Sequence, residues 1–353
     1  CGSENKARYT NLNPAENLVD WVVDEVDRMG SGWCPPGIVS IGVGGTAEKA
    51  MLIAKEALNE PINMSELLLA GPQNRTEELR VELYERLNAL GVGAQGLGGL
   101  TTVVDVKLSS YPCHAASKPV AVIPQCAANR HISFSLDGRG AAVLPQPDLT
   151  EWPQVDGGLG LGSRQLNIDT ATREDLLEIP VGEQVLLSGT IYSARDAAHR
   201  RIAEYLEAGR ALPVNLKGKF LYYVGPVKAV DGEVVGPAGP TTSARMDRFT
   251  KLMLKDVGIL GMIGKAERSA AVAELIARYT APYFIAVGGA AYLISKSIKK
   301  AEIVAFEDLG MEAIHRFEIK DMPVMMAIDC NGNSIHEKGK RMWRTSAKTG
   351  GNP

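Results

Sequence analysis

Between Tyr111 and His131 the chain reads YPCHAASKPVAVIPQCAANRH, which gathers two cysteines, two histidines, a lysine and an arginine into one short stretch. Its apolar middle, Pro119 to Pro124, has the composition of a short buried strand. The reactive side chains are therefore expected at both ends of that strand, where loops leave a sheet, with Cys126 at its C-terminal mouth. A second thiol, Cys34, stands just before another strand-like run, Ile38 to Val43, and is held by Pro35 and Pro36. The five cysteines (Cys1, Cys34, Cys113, Cys126 and Cys330) are odd in number, widely spaced and form no CxxC pair. That argues against a disulfide framework and against a tetrahedral zinc site.

Three cationic side chains stand where helices should begin. Arg195 follows Ser193 at the start of a helix from Ala194 to Gly209. Arg245 lies in the first turn after Pro240-Thr241-Thr242, and Lys265 precedes a helix from Glu267 to Tyr279. Helix N-terminal amides with a guanidinium beside them suit an anion. For Arg195 a plain surface pairing with Asp196 is the competing reading. Three such starts together point to a pocket for a ligand with more than one carboxylate or phosphate.

Amphipathic helices and short strands must position these groups. Asn13 to Gly30 reads as a helix capped by Asn13, with Pro14 in its first position and Leu18, Val22, Val26 and Met29 on one face. Gly44-Gly45 then turns into a helix capped by Thr46. This strand–glycine–helix pattern lacks the Lys-Ser/Thr of a P-loop and the spacing of a dinucleotide fingerprint. Close strand–helix packing and a backbone nest for a carboxylate stand beside a nucleotide reading. Arg75 to Leu90 forms a further helix. Gly93, Gly96, Gly98 and Gly99 imply backbone pressed close to another chain segment or to a ligand. His131 to Leu144 reads as a hairpin turning at Asp137-Gly138. Strands are expected at Val185 to Tyr192, Tyr283 to Val287 and Ile303 to Phe306, and 337–353 as frayed.

The 353 residues suggest two domains, and residues 145–172, dense in Pro and Gly, make the best linker. With 45% apolar and 22% charged residues and a net charge of −3, the composition is that of a globular protein with no case for nucleic acid. No apolar run is long enough for a transmembrane helix and no signal peptide is visible, so the expected location is the cytoplasm, away from membranes.

Six segments, GVGGTAEKAMLIAKEAL, GAQGLGGLTTVVDVK, HAASKPVAVIPQCAANRH, SGTIYSARDAAHRR, GPTTSARMD and AFEDLGMEAIHRFEIKDMPV, closely resemble the iron–sulfur (class I) fumarate hydratases and the related L(+)-tartrate dehydratases, in order and over essentially the whole chain. The resemblance implies an α/β (α+β) fold in two domains. An N-terminal α/β cluster-binding region (1–145) would be joined by a linker (146–172) to a C-terminal swivelling α/β region (173–353). It implies a [4Fe-4S] cluster, with Cys34 and Cys126 as two of three cysteine ligands and one iron left open as a Lewis acid. It further implies Thr241 as catalytic base, and His114, Arg195, Arg245 and Lys265 as binders of a small dicarboxylate in a homodimer. The third cysteine of that family lies in a CQDTG-like motif that this sequence does not contain, together with its aspartate and an upstream arginine. The chain is therefore expected to be truncated at its N-terminus. Reversible hydration of fumarate to (S)-malate is the expected activity, with dehydration of L(+)-tartrate as the alternative. A non-catalytic anion-binding role is the reading outside enzymology.

Overall fold

The computed structural model describes residues 6–126, 134–141, 163–286 and 291–345. In chain order the first region comprises β1 (Arg8–Leu12), α1 (Leu18–Met29), β2 (Gly37–Gly44), α2 (Ala47–Ala57), α3 (Met64–Ala70), α4 (Arg75–Ala89), β3 (Val103–Tyr111) and β4 (Lys118–Cys126). Its strands form one sheet in the order β1-β4-β2-β3, with β2 and β3 parallel and the other pairs antiparallel. β2 is covered on both faces, as its nearly unbroken apolar run requires. Val39, Ile41, Val120 and Val122 pack beneath α1 and α4. Ile38, Ala121 and Ile123 point the other way, onto Ala50 and Ala54 of α2. Gly42 is needed there, because a Cβ would come within 2.0 Å of the Ala50 carbonyl oxygen.

One sequence expectation changes here. The first helix begins at Leu18, because the Asn17 side chain accepts hydrogen bonds from Val19 N and Asp20 N and so makes Asn17 the cap. Asn13 and Pro14 belong to a separate turn closed by Glu16 N donating to Asn13 O. The polar stretch before that turn is structured as well. It forms β1, an edge strand whose outward residues are exposed and therefore show no apolar alternation.

The second region comprises β5 (Arg164–Asn167), α5 (Arg173–Leu177), β6 (Gln184–Ser193), α6 (Asp196–Glu207), β7 (Phe220–Tyr222), α7 (Asp247–Leu252), β8 (Gly261–Gly264), α8 (Ala270–Tyr279), β9 (Tyr283–Ile285), α9 (Ala291–Ser295), β10 (Ile298–Ala305), β11 (Ile314–Ile328) and α10 (Ile335–Trp343). β5 through β9 run parallel to their neighbours. The long β11 pairs antiparallel with β9 near its end and with β6 over its middle, so β6, β7, β8, β9 and β11 close into a ring. Alternate residues split the core. Ile191, Phe220, Tyr222, Ile263, Phe284 and Phe317 pack together on one face, whereas Tyr192, Leu221, Tyr223, Met262 and Tyr283 pack under α6, α7 and α8 on the other. β5 lies within the stretch read as linker; of the hairpin expected from His131 to Leu144, residues 131–133 and 142–144 lie outside the described residues, and 134–141 carry no strand.

The frayed reading of 337–353 is corrected as far as residue 345, and 346–353 lie outside the described residues. Residues 335–343 form α10, which docks on the first region. Cβ atoms at Gly98 and Gly339 would each meet the opposing backbone, at 2.6 Å from Gly339 C and 2.1 Å from Leu97 O respectively. Lys340 and Arg344 pair with Asp27 of α1, and Thr345 N donates to Ala89 O at 3.0 Å. Of the glycines in residues 93–99, Gly96 and Gly98 thus accommodate other chain segments, and Gly93 the turn of its own.

Candidate active site

Cys34 sits in a tight turn ahead of β2. Its φ is +63°, and its N–H donates to Ser31 O at 2.9 Å. The carbonyl of Pro35 accepts from Gln95 N at 2.6 Å, which ties the turn to the glycine-rich segment. At the start of β2, Gly37 pairs with Cys126, the last residue of β4. Antiparallel pairing of these two strands therefore carries both thiols to one end of the sheet, each buried. The Cys34 thiol is pulled down to about 6, mainly by its hydrogen bond with Cys126 and further by the nearby Lys265 ammonium, against the opposing effect of burial. Among the described residues no group of three or more His, Cys, Asp or Glu side chains gathers as a metal site.

Lys265 comes from the second region, immediately after β8. Its neighbour in that sheet is the turn after β7. Thr241 N donates to Tyr223 O at 2.7 Å, Ser243 N donates to Lys265 O at 3.1 Å, and Lys265 N donates back to Ser243 Oγ at 3.1 Å. The buried Tyr283 hydroxyl donates toward Ser243 Oγ at 2.8 Å. Thr241, Arg245 and Lys265 thus stand on adjoining turns.

Arg195 follows β6. It is the N-cap residue of α6 rather than the helix's second residue, because its backbone is extended and Ser193 is still in the strand. Its guanidinium pairs with Glu312 at 3.4 Å, and the same carboxylate accepts Ala197 N at 2.7 Å, capping the helix. Asp196 pairs with Arg245 through both oxygens, at 3.0 and 2.6 Å. The competing reading, a surface pair of Arg195 with Asp196, gives way to two crossed pairs at the same helix start. Beneath Arg195 the fully buried His199 ring lies 2.8 Å from Arg195 O, and burial pushes its pKa down to about 4.

Arg195, Thr241, Arg245 and Lys265 therefore cluster at the carboxyl ends of parallel strands β6, β7 and β8, the side where ligands bind in parallel α/β sheets. Through Lys265 that end faces the Cys34–Cys126 pair. His114 is not brought to the group within its own chain. It lies exposed before β4, its Nδ1 accepting from Ala116 N at 3.1 Å. β4 alone separates it from Cys126 by roughly 26 Å at about 3.3 Å per residue. Cys113 is exposed, and Cys330 is buried with its pKa raised to about 11. Cys1 and His131 lie outside the described residues. Sequence reasoning missed Ser31, Ser243, Glu267 and Glu312. Their signal is only tertiary, apart from the place of Ser243 inside GPTTSARMD.

Comparison with known proteins follows the same division. A family model described as fumarate hydratase (fumerase) matches residues 1–135, and one described as fumarase C-terminus matches residues 138–339. Fumarate hydratase 1, mitochondrial, of Leishmania major is 34% identical over 346 residues, covering 93% of this chain and 61% of that protein. The anaerobic class I fumarate hydratase of Escherichia coli K12 is 32% identical over 338 residues, again 93% of this chain and 61% of the relative. A putative L(+)-tartrate dehydratase subunit beta of Methanocaldococcus jannaschii is 37% identical over 172 residues, covering 47% of this chain and 88% of that subunit. The chain thus spans about 61% of the length of the fumarate hydratases it matches. From these matches, laid over the two sheets and the site between them, the chain belongs to the class I fumarate hydratase family.

Proposed function

We propose that this chain carries the cysteine pair and the dicarboxylate anchors of a hydro-lyase that reversibly hydrates fumarate to (S)-malate. The observation that carries this reading is the placement of Lys265, at the mouth of the parallel strands, beside Cys34 and Cys126. The donor set fits a [4Fe-4S] cluster: two soft sulfur ligands share one end of a sheet, and one is already biased toward thiolate. Cys34 and Cys126 would supply two of the three thiolates that hold the cluster, which when bound would supply an open iron as a Lewis acid for the substrate hydroxyl.

The chain's own residues then have distinct tasks. Lys265, Arg195 and Arg245 bind and orient the two carboxylates. Arg245 commits Nε and one Nη2 hydrogen to Asp196 and keeps its remaining N–H groups for a ligand. Thr241 Oγ1 handles the carbon-bound proton; a hydroxyl needs cations close by to do so, and Arg245 and Lys265 stand on its own and the adjoining turn. His114 serves this site only from a second copy, given the length of β4, which fits a homodimer.

The test is anaerobic reconstitution with iron and sulfide, followed by fumarate and L(+)-tartrate turnover and iron content on one sample. Fumarate hydration that dies in air supports the reading; iron loading without turnover of either substrate removes it. Arg245→Ala at wild-type kcat/KM would remove Arg245 from the site. The second reading, tartrate dehydration with the same groups, is favoured by the coverage of the tartrate dehydratase subunit beta, and a higher kcat/KM for tartrate than for malate would establish it.

A further inference from the structure

Glu267 lies two residues beyond Lys265, and Ser31 three residues before Cys34. The two meet across a sequence separation of 236 residues. Ser31 N donates to both Glu267 oxygens, at 3.0 and 3.1 Å, and Ser31 Oγ donates to Glu267 Oε2 at 3.0 Å. Glu267 N donates back to Ser31 Oγ at 3.3 Å. The contact is enclosed. Ser31 is 1% exposed, and a Cβ at Gly96 would come 2.3 Å from Ser31 Cβ and 2.9 Å from the buried His336 ring. Gly30, at φ +61°, leaves the room that Glu267 occupies, since a Cβ there would come 1.8 Å from Oε1. This carboxylate takes its hydrogen bonds from one residue of the opposite region, Ser31. Ser31 O in turn accepts the Cys34 N–H. The chain of bonds therefore runs from the Lys265 turn through Glu267 and Ser31 to the Cys34 turn.

We propose that Glu267 is a positioning residue: by clasping Ser31 it holds the Lys265 turn against the Cys34 turn and sets the distance between the anion anchor and the thiol pair. The inference rests on the reading of Lys265 as a dicarboxylate anchor. Glu267 itself touches neither thiol nor substrate and acts through the two turns.

The experiment compares wild type with Glu267→Ala and Glu267→Gln in the full chain. In the iron-free protein a short amine-to-thiol cross-linker should join Lys265 to Cys34, read by peptide mass spectrometry. The yield should fall about tenfold in E267A, the size expected when hydrogen bonds to a charged acceptor are lost, with faster amide exchange at Ser31. E267Q, whose amide oxygen still accepts from Ser31 N, should retain most of both signals. In the reconstituted enzyme E267A should raise KM about tenfold and change kcat less than about twofold, the pattern of lost uniform binding. Should E267A fail to fold, Glu267→Asp, whose shorter side chain draws the carboxylate back from both Ser31 N and Ser31 Oγ, carries the same readouts. Unchanged cross-linking in a folded E267A or E267D overturns the inference, as does an unchanged KM where the wild type is active. If the wild type turns over neither dicarboxylate, the functional reading fails, and the cross-linking yield still decides the role of Glu267.

Discussion

Cys34 is a buried thiol that nevertheless favours its anion, because Cys126 donates to it and the Lys265 ammonium lies nearby. Burial alone would act in the opposite direction, as it does at Cys330. In the iron-free chain, alkylation of Cys34 should therefore rise with pH around a midpoint of about 6, since the reactive thiolate prevails above that value. Cys126→Ala should move the midpoint up, and further than Lys265→Met does. A midpoint near the ordinary 9.0 in the wild type would show that the three groups do not meet. The motif strings exposed both cysteines as ligand candidates. They could not show Lys265 beside them, because 231 residues, from 34 to 265, separate it from Cys34.

At the scale of elements, the site depends on where strands end. β6, β7 and β8 are parallel and end level with one another, Ser193 beside Tyr222 and Tyr222 beside Ile263, so the segments that follow them bring Arg195, Thr241 and Lys265 to a common edge. Each turn is closed by backbone hydrogen bonds to its neighbour, so the anchors are held by main chain as well as by side chains. The docking of α10 is similarly a backbone-to-backbone approach. Gly98 combines φ +86° with a gap that a Cβ would fill, 2.6–2.7 Å from Gly339 atoms. Gly98→Ala should destabilise the chain by about 2–4 kcal/mol through strain and forced separation, read as a lower denaturant midpoint at constant slope. A loss under about 0.5 kcal/mol would show that α10 is not seated there, since that is the range of ordinary surface substitutions.

At the scale of the molecule, the proposed site joins groups of both regions, and His114 stands apart from them in its own chain. Mixing His114→Ala and Lys265→Ala chains, each inactive alone, should restore about a quarter of wild-type turnover in a dimer with sites built from both copies. No recovery after refolding together would confine each site to one chain. The whole fold should also weaken in acid. His199, His315 and His336 are all held below the ordinary 6.5 by burial, His199 down to about 4. Unfolding lets them take up protons, so their contribution is fully present above pH 6.5 and is lost as pH falls toward 4. His199→Asn should flatten the stability curve between these values, measured by chemical denaturation at successive pH.

The sequence by itself determined the family, the α/β character, β2, α4 and the strand before Cys126, because each rests on local periodicity or on motif strings that need no neighbour. It also determined which cations sit at strand-to-helix turns. Tertiary structure alone decided that β1 exists, that the tail is a docked helix, and that Arg245 rather than Arg195 takes Asp196. It also decided that Glu267 reaches Ser31. An edge strand is paired on one side only and keeps a polar pattern. A glycine contact such as Gly98 with Gly339 leaves no hydrophobic signal. Exchange of ion-pair partners depends on where helices start to within a residue, and that follows from the bonds each turn makes to the next strand.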